Sequence, residues 1–176
     1  MPAWPGVADL GKVLRLLVAG AALLTGAGAA GTEPFARVVI ERVSDGDTLT
    51  VAKADGTRMK VRLSGIDAPE RNQPYGGEAR LTLERLLAGR EITLDCMKTD
   101  RYGRSICRVF ADGTDASLEM LKSGAAWWYR SYAHEQPPAE RRAYADAEQN
   151  ARKGAAGLWQ TSSPVAPWHW RKTARH

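Results

Sequence analysis

Carboxylate and guanidinium side chains are concentrated in two turns of the first strand-rich region. The first turn, SDGDT, contains Asp47; the second, within LSGIDAPER, contains Asp67 and Glu70, and Arg62 precedes it. A solvated turn would account for an aspartate beside a proline, because aspartate bonds its own backbone and proline fixes φ. It does not account for a second acidic turn one hairpin away, and the pair indicates a site that binds a cation.

The residue types in these turns match the ligands of a hard cation. Calcium takes several oxygen ligands, from carboxylates and from backbone carbonyls. Asp47 and Asp67 offer two carboxylates, and Pro69 pushes Ala68 into extended geometry that can present its carbonyl as a third ligand. Glu70 follows, where it can orient or deprotonate a bound water. The turns therefore predict a calcium site with a general base beside it.

Arg62 and Arg104 add two planar guanidinium groups that match the geometry of phosphate oxygens. In phosphodiester hydrolysis the transition state gains negative charge on its equatorial oxygens, and preorganised cations stabilise that charge. A bound cation, a base and two guanidinium groups are the parts that this hydrolysis requires. On spacing alone, the alternative is that these charges are only solvated, because 26% of the residues are charged.

Hydrophobic patterning places these residues at the ends of strands. Residues 38–63 are predicted to form three strands joined by the DGDT and ADG turns. Periodicity and Gly or Pro stops predict the later elements: a helix at 76–88, strands at 90–96 and 105–110, and helices at 116–123 and 137–153. Five strands with a helix inserted after the third predict an α+β, mainly β fold, which is a five-stranded OB-type barrel with three helices packed on it.

The N-terminus has the pattern of a secretory signal peptide. Lys12 and Arg15 precede an apolar run at 16–31 that is rich in Ala and Gly and ends in small residues suited to cleavage. We therefore assign residues 1–30 to a signal peptide and expect an exported protein, either periplasmic or secreted. The alternative is an uncleaved membrane anchor, for which the run is short, because a spanning helix needs about 20 apolar residues.

The net charge of +5 and the two cysteines narrow the classes of function. A mildly basic chain allows a polyanionic partner but does not require one.

Two cysteines are too few for a disulfide-scaffold protein, and C-x₁₀-C without a nearby histidine is a poor zinc pattern. If the turn between the strands centres near Arg101 and Tyr102, then Cys96 and Cys107 face each other across the hairpin. In an exported chain this predicts a disulfide.

Several motifs, taken in order, resemble the staphylococcal nuclease (thermonuclease-like) family: SDGDT, VRLSGIDAPE, YGGEA, TDRYGRSICRVFADG, GAAWWYRSY, HEQ and GLW. The resemblance runs from about Val38 to Trp159. It implies a nuclease-like OB-fold domain at 36–160, followed by a Pro/Trp/basic tail at 161–176. It also implies a calcium-dependent endonuclease that cuts DNA and RNA and leaves 3′-phosphate ends. The sequence carries no oligomer signal, and we expect a monomer with no stable protein partner.

The family's motifs imply roles for individual residues of this chain. The implied calcium ligands are two carboxylates and a backbone carbonyl, namely Asp47, Asp67 and Ala68, which stands where many members have threonine. The implied catalytic residues are the general base and two arginines that contact the scissile phosphate, here Glu70, Arg62 and Arg104. The implied nucleotide-side residues come from the YGR loop and one later tyrosine, namely Arg101, Tyr102, and Tyr132 or Tyr129.

Two parts of the chain depart from the family pattern. Only RNQP separates Glu70 from Tyr75, where the founding member has a longer loop beside the active site, so rate or substrate preference is expected to differ. The tail carries tryptophans and basic residues: Trp168, Trp170, Arg171, Lys172 and Arg175. They could contact nucleic acid by stacking and charge, but we expect the tryptophans to pack on the barrel and the basic end to fray.

Two other functions compete with the enzyme. OB barrels often bind nucleic acid without chemistry, so a catalytically weak nucleic-acid-binding module is the first alternative. The second is an exported interaction domain of an envelope complex, in which the charges are solvated. Because every residue type that the family uses for metal binding and catalysis is present, the enzyme is the favoured interpretation.

Overall fold

Alternating apolar residues and Gly- or Asp-containing turns divide the chain into short strands. The computed structural model describes residues 36–173, so the predicted signal peptide and Arg175 lie outside the described residues. The strands are β1 Ala36–Val43, β2 Thr48–Lys53, β3 Arg58–Leu63, β4 Ile66–Asp67, β5 Ile92–Thr99, β6 Ser105–Ala111, β7 Thr114–Asp115 and β8 Trp127–Trp128. The helices are α1 Gly76–Leu87, α2 Ala116–Lys122, α3 Pro138–Lys153 and α4 Pro167–Thr173, with 3₁₀ turns at Arg130–Glu135 and Gly157–Gln160.

The five long strands close into a barrel. β1 pairs antiparallel with β2 and β5, β2 with β3, and β5 with β6. The barrel closes where β3 runs parallel to β6, with Leu63 opposite Cys107. The predicted OB-type α+β fold is confirmed, although the part of the chain that the structure describes has four α-helices and not three. None of the helices in residues 36–173 is long and apolar enough to span a membrane.

Strand alternation decides which side chains fill the barrel and which face outward. Val61 and Leu63 of β3 are at most 1% exposed, whereas the side chain of Arg62 between them points to the opposite side of the strand. The predicted helix at 76–88 is α1, which covers the same core through Ala79, Leu83 and Leu87. The pattern that buries β3 therefore also keeps its arginine out of the core.

The β5–β6 hairpin contains the disulfide that the sequence predicts. Cys96 and Cys107 are direct partners in the antiparallel register, with Cα atoms 4.0 Å apart, and their sulfurs are bonded. Cys107 is fully buried in the barrel core. Because the turn of this hairpin carries Arg104, the bridge restricts the loop that positions that arginine.

Replacing both cysteines by alanine should lower the free energy of unfolding by about 3 kcal/mol through chain entropy, the estimate for a loop of this length, and the lost packing of the buried Cys107 sulfur adds to this loss. Urea denaturation of the parent and of the Cys96→Ala/Cys107→Ala variant measures the difference. As a control, a reducing agent should destabilise the parent and leave the variant unchanged. Two alkylatable thiols in the unfolded, unreduced parent would contradict the disulfide.

The chain after α3 packs against the domain. Trp168 lies edge-on to Trp127, with ring centroids 5.6 Å apart, in a second hydrophobic cluster beside the barrel core. Gln73 donates a hydrogen bond from Nε2 to the Val165 carbonyl at 2.6 Å. The expected packing of the tail tryptophans is therefore seen for Trp168. The expected fraying is not seen for Arg171 and Lys172, which lie in α4, and Arg175 lies outside the described residues.

Candidate active site

The SDGDT turn approaches the second acidic turn closely. Asp45 Oδ1 accepts the backbone N–H of Asp47 at 3.0 Å, which fixes the turn. A Cβ at Gly46 would lie 2.6 Å from the Ala68 Cβ and 2.8 Å from the Ala79 Cβ, so glycine is required at this approach. As a result, Asp47 Oδ2 accepts the Ala68 N–H at 2.9 Å.

Asp67 ends the short strand β4, which pairs with β8 opposite Trp127. The side chains of Asp47 and Asp67 are 7% and 1% exposed, and both contact one guanidinium group. Arg62 donates from Nη2 to Asp67 Oδ1 at 2.8 Å, and its Nη1 pairs with Asp47 Oδ2. Two predicted metal ligands and one predicted catalytic arginine therefore meet at a single point.

Burial and the arginines set the charge of this cluster. Burial opposes ionisation of Asp47, but the charge and hydrogen bonds of Arg62 outweigh it and hold the pKa of Asp47 below its usual range. Burial raises the pKa of Asp67 in spite of the hydrogen bonds from Arg171, and the charge of Asp47 adds to the rise. Burial, with the charge of Asp47, raises the pKa of Asp45 to about 7. The raised pKa values mean that burial and the charge of Asp47 disfavour the anionic forms of Asp45 and Asp67, and a cation beside them would offset that cost.

Glu70 is presented by a tight turn that leads into α1. Its backbone N–H donates to Gln73 Oε1 at 3.1 Å, and its carbonyl accepts the Gln73 N–H at 2.9 Å. Gly76 packs directly on this turn, because a Cβ there would lie 1.9 Å from the Glu70 carbonyl oxygen. The Glu70 side chain is 35% exposed, so water or substrate can reach its carboxylate. The sequence did not indicate that Gln73 supports this turn.

Arg104 is held by an aspartate of its own loop. Asp100 Oδ2 accepts from Arg104 Nε at 2.8 Å, while Asp100 Oδ1 accepts the backbone N–H groups of Tyr102 and Arg104 at 2.9 and 3.0 Å. Arg104 Nη1 also lies 3.5 Å from Thr48 Oγ1. The YGR loop therefore faces the SDGDT turn, which places the second predicted arginine beside the acidic cluster.

Exposed aromatic rings line the cleft that these turns surround. Tyr102 is 62% exposed, and the guanidinium carbon of Arg101 lies 5.0 Å from the centre of its ring. Tyr132 is 45% exposed, and Lys98 Nζ lies 4.8 Å from the centre of its ring. The ring of Tyr129 lies beside it, with the two ring centroids 5.3 Å apart. Both tyrosines that the sequence names as alternatives therefore line the same cleft, which has a volume of about 1030 Å³.

The structure adds a site residue from the C-terminal tail. Arg171 Nη2 donates to Asp67 Oδ2 at 2.7 Å, and its Nη1 donates to Asp67 Oδ1 at 3.2 Å and to Glu70 Oε1 at 2.7 Å. The expectation that the basic end frays is therefore wrong for Arg171. The only sequence signal for this contact is the PWHWR segment, in which two tryptophans precede the arginine and indicate that the segment packs on the domain.

The oxygen donors of the cluster suit a hard cation such as calcium. Asp47 and Asp67 provide two buried carboxylates, and the backbone of Ala68 lies against Asp47 through its N–H. Within residues 36–173, no group of three or more His, Cys, Asp or Glu side chains is arranged to hold a metal ion. Calcium also accepts backbone carbonyl and water oxygens as ligands, and the carbonyl of Ala68 stays the predicted third ligand.

Comparison with known proteins agrees with this geometry. The family model described as staphylococcal nuclease homologue matches residues 60–161. A Haemophilus influenzae protein named as an uncharacterised endonuclease is 36% identical over 133 residues, which are 76% of this chain and 71% of that protein. An Escherichia coli O157:H7 protein of the same name is 36% identical over 133 residues, 75% of this chain and 82% of that protein. A probable staphylococcal-like nuclease of Oryza sativa subsp. japonica is 34% identical over 173 residues, 96% of this chain but 50% of that protein.

The match of the family model includes most of the predicted site. Arg62, Asp67, Glu70 and Arg104 lie inside it, and the barrel completes the site by bringing the SDGDT turn to the same point. Arg171 lies beyond the matched residues. Fold, site geometry and relatives agree, and the chain belongs to the staphylococcal nuclease family.

Proposed function

We propose that the chain is an exported, calcium-dependent endonuclease that hydrolyses phosphodiester bonds of DNA and RNA and leaves 3′-phosphate ends. The observation that best supports it is the convergence of Asp47 and Asp67 on Arg62, with the exposed carboxylate of Glu70 beside them. The bacterial relatives named as endonucleases support the reaction class. Export rests on the signal-peptide pattern of residues 1–30.

Each residue of the cluster has a task that follows from its position. Calcium, bound by Asp47 and Asp67, would supply positive charge for the phosphate and for a water ligand. Glu70 accepts a proton at its carboxylate from the water that attacks phosphorus. The P–O5′ bond breaks, the phosphate stays on the 3′ side, and the departing 5′ oxygen takes a proton from solvent. Arg62 and Arg104 donate to the phosphate oxygens on which negative charge accumulates, and the five N–H donors of a guanidinium allow Arg62 to hold the carboxylates as well.

The walls of the cleft suit a polynucleotide without selecting a base. Tyr102 and Tyr132 expose aromatic faces on which bases can stack, and stacking tolerates every base because each has a π-face. Arg101 and Lys98 lie over these rings and provide positive charge for the backbone. This combination supports activity on both DNA and RNA.

A second candidate function is nucleic-acid binding without efficient catalysis. The observation that favours it is the pairing of Asp67 with two arginines, Arg62 and Arg171, because bonded guanidinium groups compete with a metal ion for the same oxygens. A protein of this kind would bind DNA with or without calcium and leave it uncut.

Digestion of plasmid DNA, single-stranded DNA and RNA by the purified protein distinguishes the two candidates. With calcium we expect all three to be cleaved, into fragments whose 3′ ends a polymerase extends only after phosphatase treatment. Excess EGTA should stop the cleavage. Extension without phosphatase would contradict 3′-phosphate ends, and binding without cleavage would support the second candidate.

A further inference from the structure

The C-terminal helix α4 places a cation on two acidic residues of the active site. The guanidinium of Arg171 engages both carboxylate oxygens of Asp67, at 2.7 and 3.2 Å, and one oxygen of Glu70 at 2.7 Å. A bidentate guanidinium–carboxylate pair of this kind is among the stronger hydrogen-bonded contacts. It joins one predicted metal ligand and the predicted base to a residue beyond the family match.

The neighbours of Arg171 hold the helix beside the same cleft. Trp168 stacks on Tyr129, with ring centroids 5.6 Å apart. Trp170 Nε1 donates to Asn72 Oδ1 at 3.4 Å, in the loop that follows the DAPE motif. The fold therefore positions Arg171, since two residues that precede it in α4 contact the domain separately.

Asp67 is bonded to two guanidinium groups at once. Its Oδ1 accepts from Arg62 at 2.8 Å and from Arg171 at 3.2 Å, and its Oδ2 accepts from Arg171 at 2.7 Å. A divalent cation at Asp67 would meet the positive charge of both. Arg62 is the less movable, because its side chain is 13% exposed and also bonded to Asp47. The Arg171 side chain is 37% exposed on a helix of seven residues.

We propose that Arg171 is a tethered cation that neutralises Asp67 and Glu70 in the metal-free enzyme and that calcium must displace it. The inference rests on the proposed function, because it takes Asp67 as a calcium ligand. By linkage, calcium and the Arg171 contact weaken each other by the same factor, so this residue sets how much calcium the enzyme requires. Once displaced, the guanidinium stays in the cleft that it lines, where substrate phosphates carry the opposite charge.

Calcium titration by isothermal calorimetry, without nucleic acid, tests the competition. The Arg171→Gln variant should bind calcium about tenfold more tightly than the parent, because the metal no longer displaces a bonded charge. Lys172→Gln is the matched control: it removes the same charge from an exposed neighbouring position of α4 and should bind calcium like the parent. The calcium affinity of Arg171→Lys should lie between those of the parent and Arg171→Gln, because an ammonium keeps the charge but cannot form the two parallel hydrogen bonds of a guanidinium.

Thermal denaturation provides a second readout. In EGTA, Arg171→Gln should melt below the parent, because Asp67 and Glu70 lose a bonded cation. In saturating calcium this deficit should shrink or reverse, since the metal takes over the neutralisation. Lys172→Gln should melt close to the parent in both conditions.

The outcomes separate this inference from the proposed function. An Arg171→Gln affinity equal to or weaker than that of the parent would overturn the inference, as would an equal gain in Lys172→Gln or no calcium binding by Arg171→Gln. If cleavage depends on calcium but Arg171→Gln binds calcium with the parental affinity, the inference is overturned and the proposed function stands. If Arg171→Gln binds calcium more tightly than the parent but neither the parent nor any variant cleaves nucleic acid, the inference is supported and the proposed nuclease activity is overturned.

Discussion

Glu70→Gln should lower turnover by roughly 10²- to 10⁴-fold, the range attributed to a positioned general base. The amide keeps the shape of the side chain, and its carbonyl oxygen can still accept the hydrogen bond from Arg171, but it cannot take a proton from water. The Glu70 side chain is 35% exposed, against 1% for Asp67, so Glu70 is the carboxylate that a water molecule can reach. The expected effect is therefore on rate and not on the fold.

Single-turnover cleavage of single-stranded DNA at saturating calcium measures the rate, and urea denaturation checks the fold. Glu91→Gln is the control, because Glu91 pairs with Arg37 and is not part of the cleft wall. It should cleave at the parental rate. Since Glu70 also bonds Arg171, the loss measured need not equal the contribution of the base itself. A Glu70→Gln variant as fast as the parent would show that another group takes the proton.

Arg62→Lys should lower turnover by about 10²-fold or more, the loss expected when a donor to the transition-state charge is removed. Arg62 bonds Asp47 and Asp67 at the same time, and a lysine ammonium cannot reproduce that fork. Arg62→Gln removes the charge as well and leaves two buried carboxylates without their shared partner. It should cost about 3–5 kcal/mol of unfolding free energy, the range for a broken buried ion pair.

Turnover and urea denaturation of both Arg62 variants separate chemistry from stability. Arg58→Lys is the matched control on the same strand, because the Arg58 side chain is 75% exposed and pairs with Glu41 at the surface. Its rate and its stability should stay close to those of the parent. Near-parental turnover in Arg62→Lys would mean that Arg62 does not bind the scissile phosphate.

Local patterns were sufficient to predict the barrel and the meeting of the two acidic turns. The ADG turn and the alternation that follows it predict a meander, and in the observed register Thr48 lies opposite Arg62. That register places the neighbouring Asp47 on the guanidinium group. The disulfide also follows from a hairpin, because Cys96 and Cys107 are opposed across one turn.

The contact of Arg171 could not be predicted in this way. Arg171 is 104 residues from Asp67 in sequence, and the tail has no periodicity that would indicate which surface it covers. A helix of seven residues owes its stability to packing and not to propensity, so only the folded domain determines where it lies. Gly46 is similar: the sequence shows a turn glycine, whereas the structure requires glycine because the two acidic turns approach each other there.

The dependence of the initial rate on free calcium tests the central claim most directly. The parent and Asp67→Asn would be assayed on single-stranded DNA over a calcium series buffered with EGTA. We predict that the parent is inactive in excess EGTA and that its rate rises to a plateau with calcium. Asp67→Asn should need more calcium to reach half of its own plateau, because the substitution removes a formal charge from the ligand shell. Equal cleavage by the parent in excess EGTA and in saturating calcium would contradict a calcium-dependent nuclease.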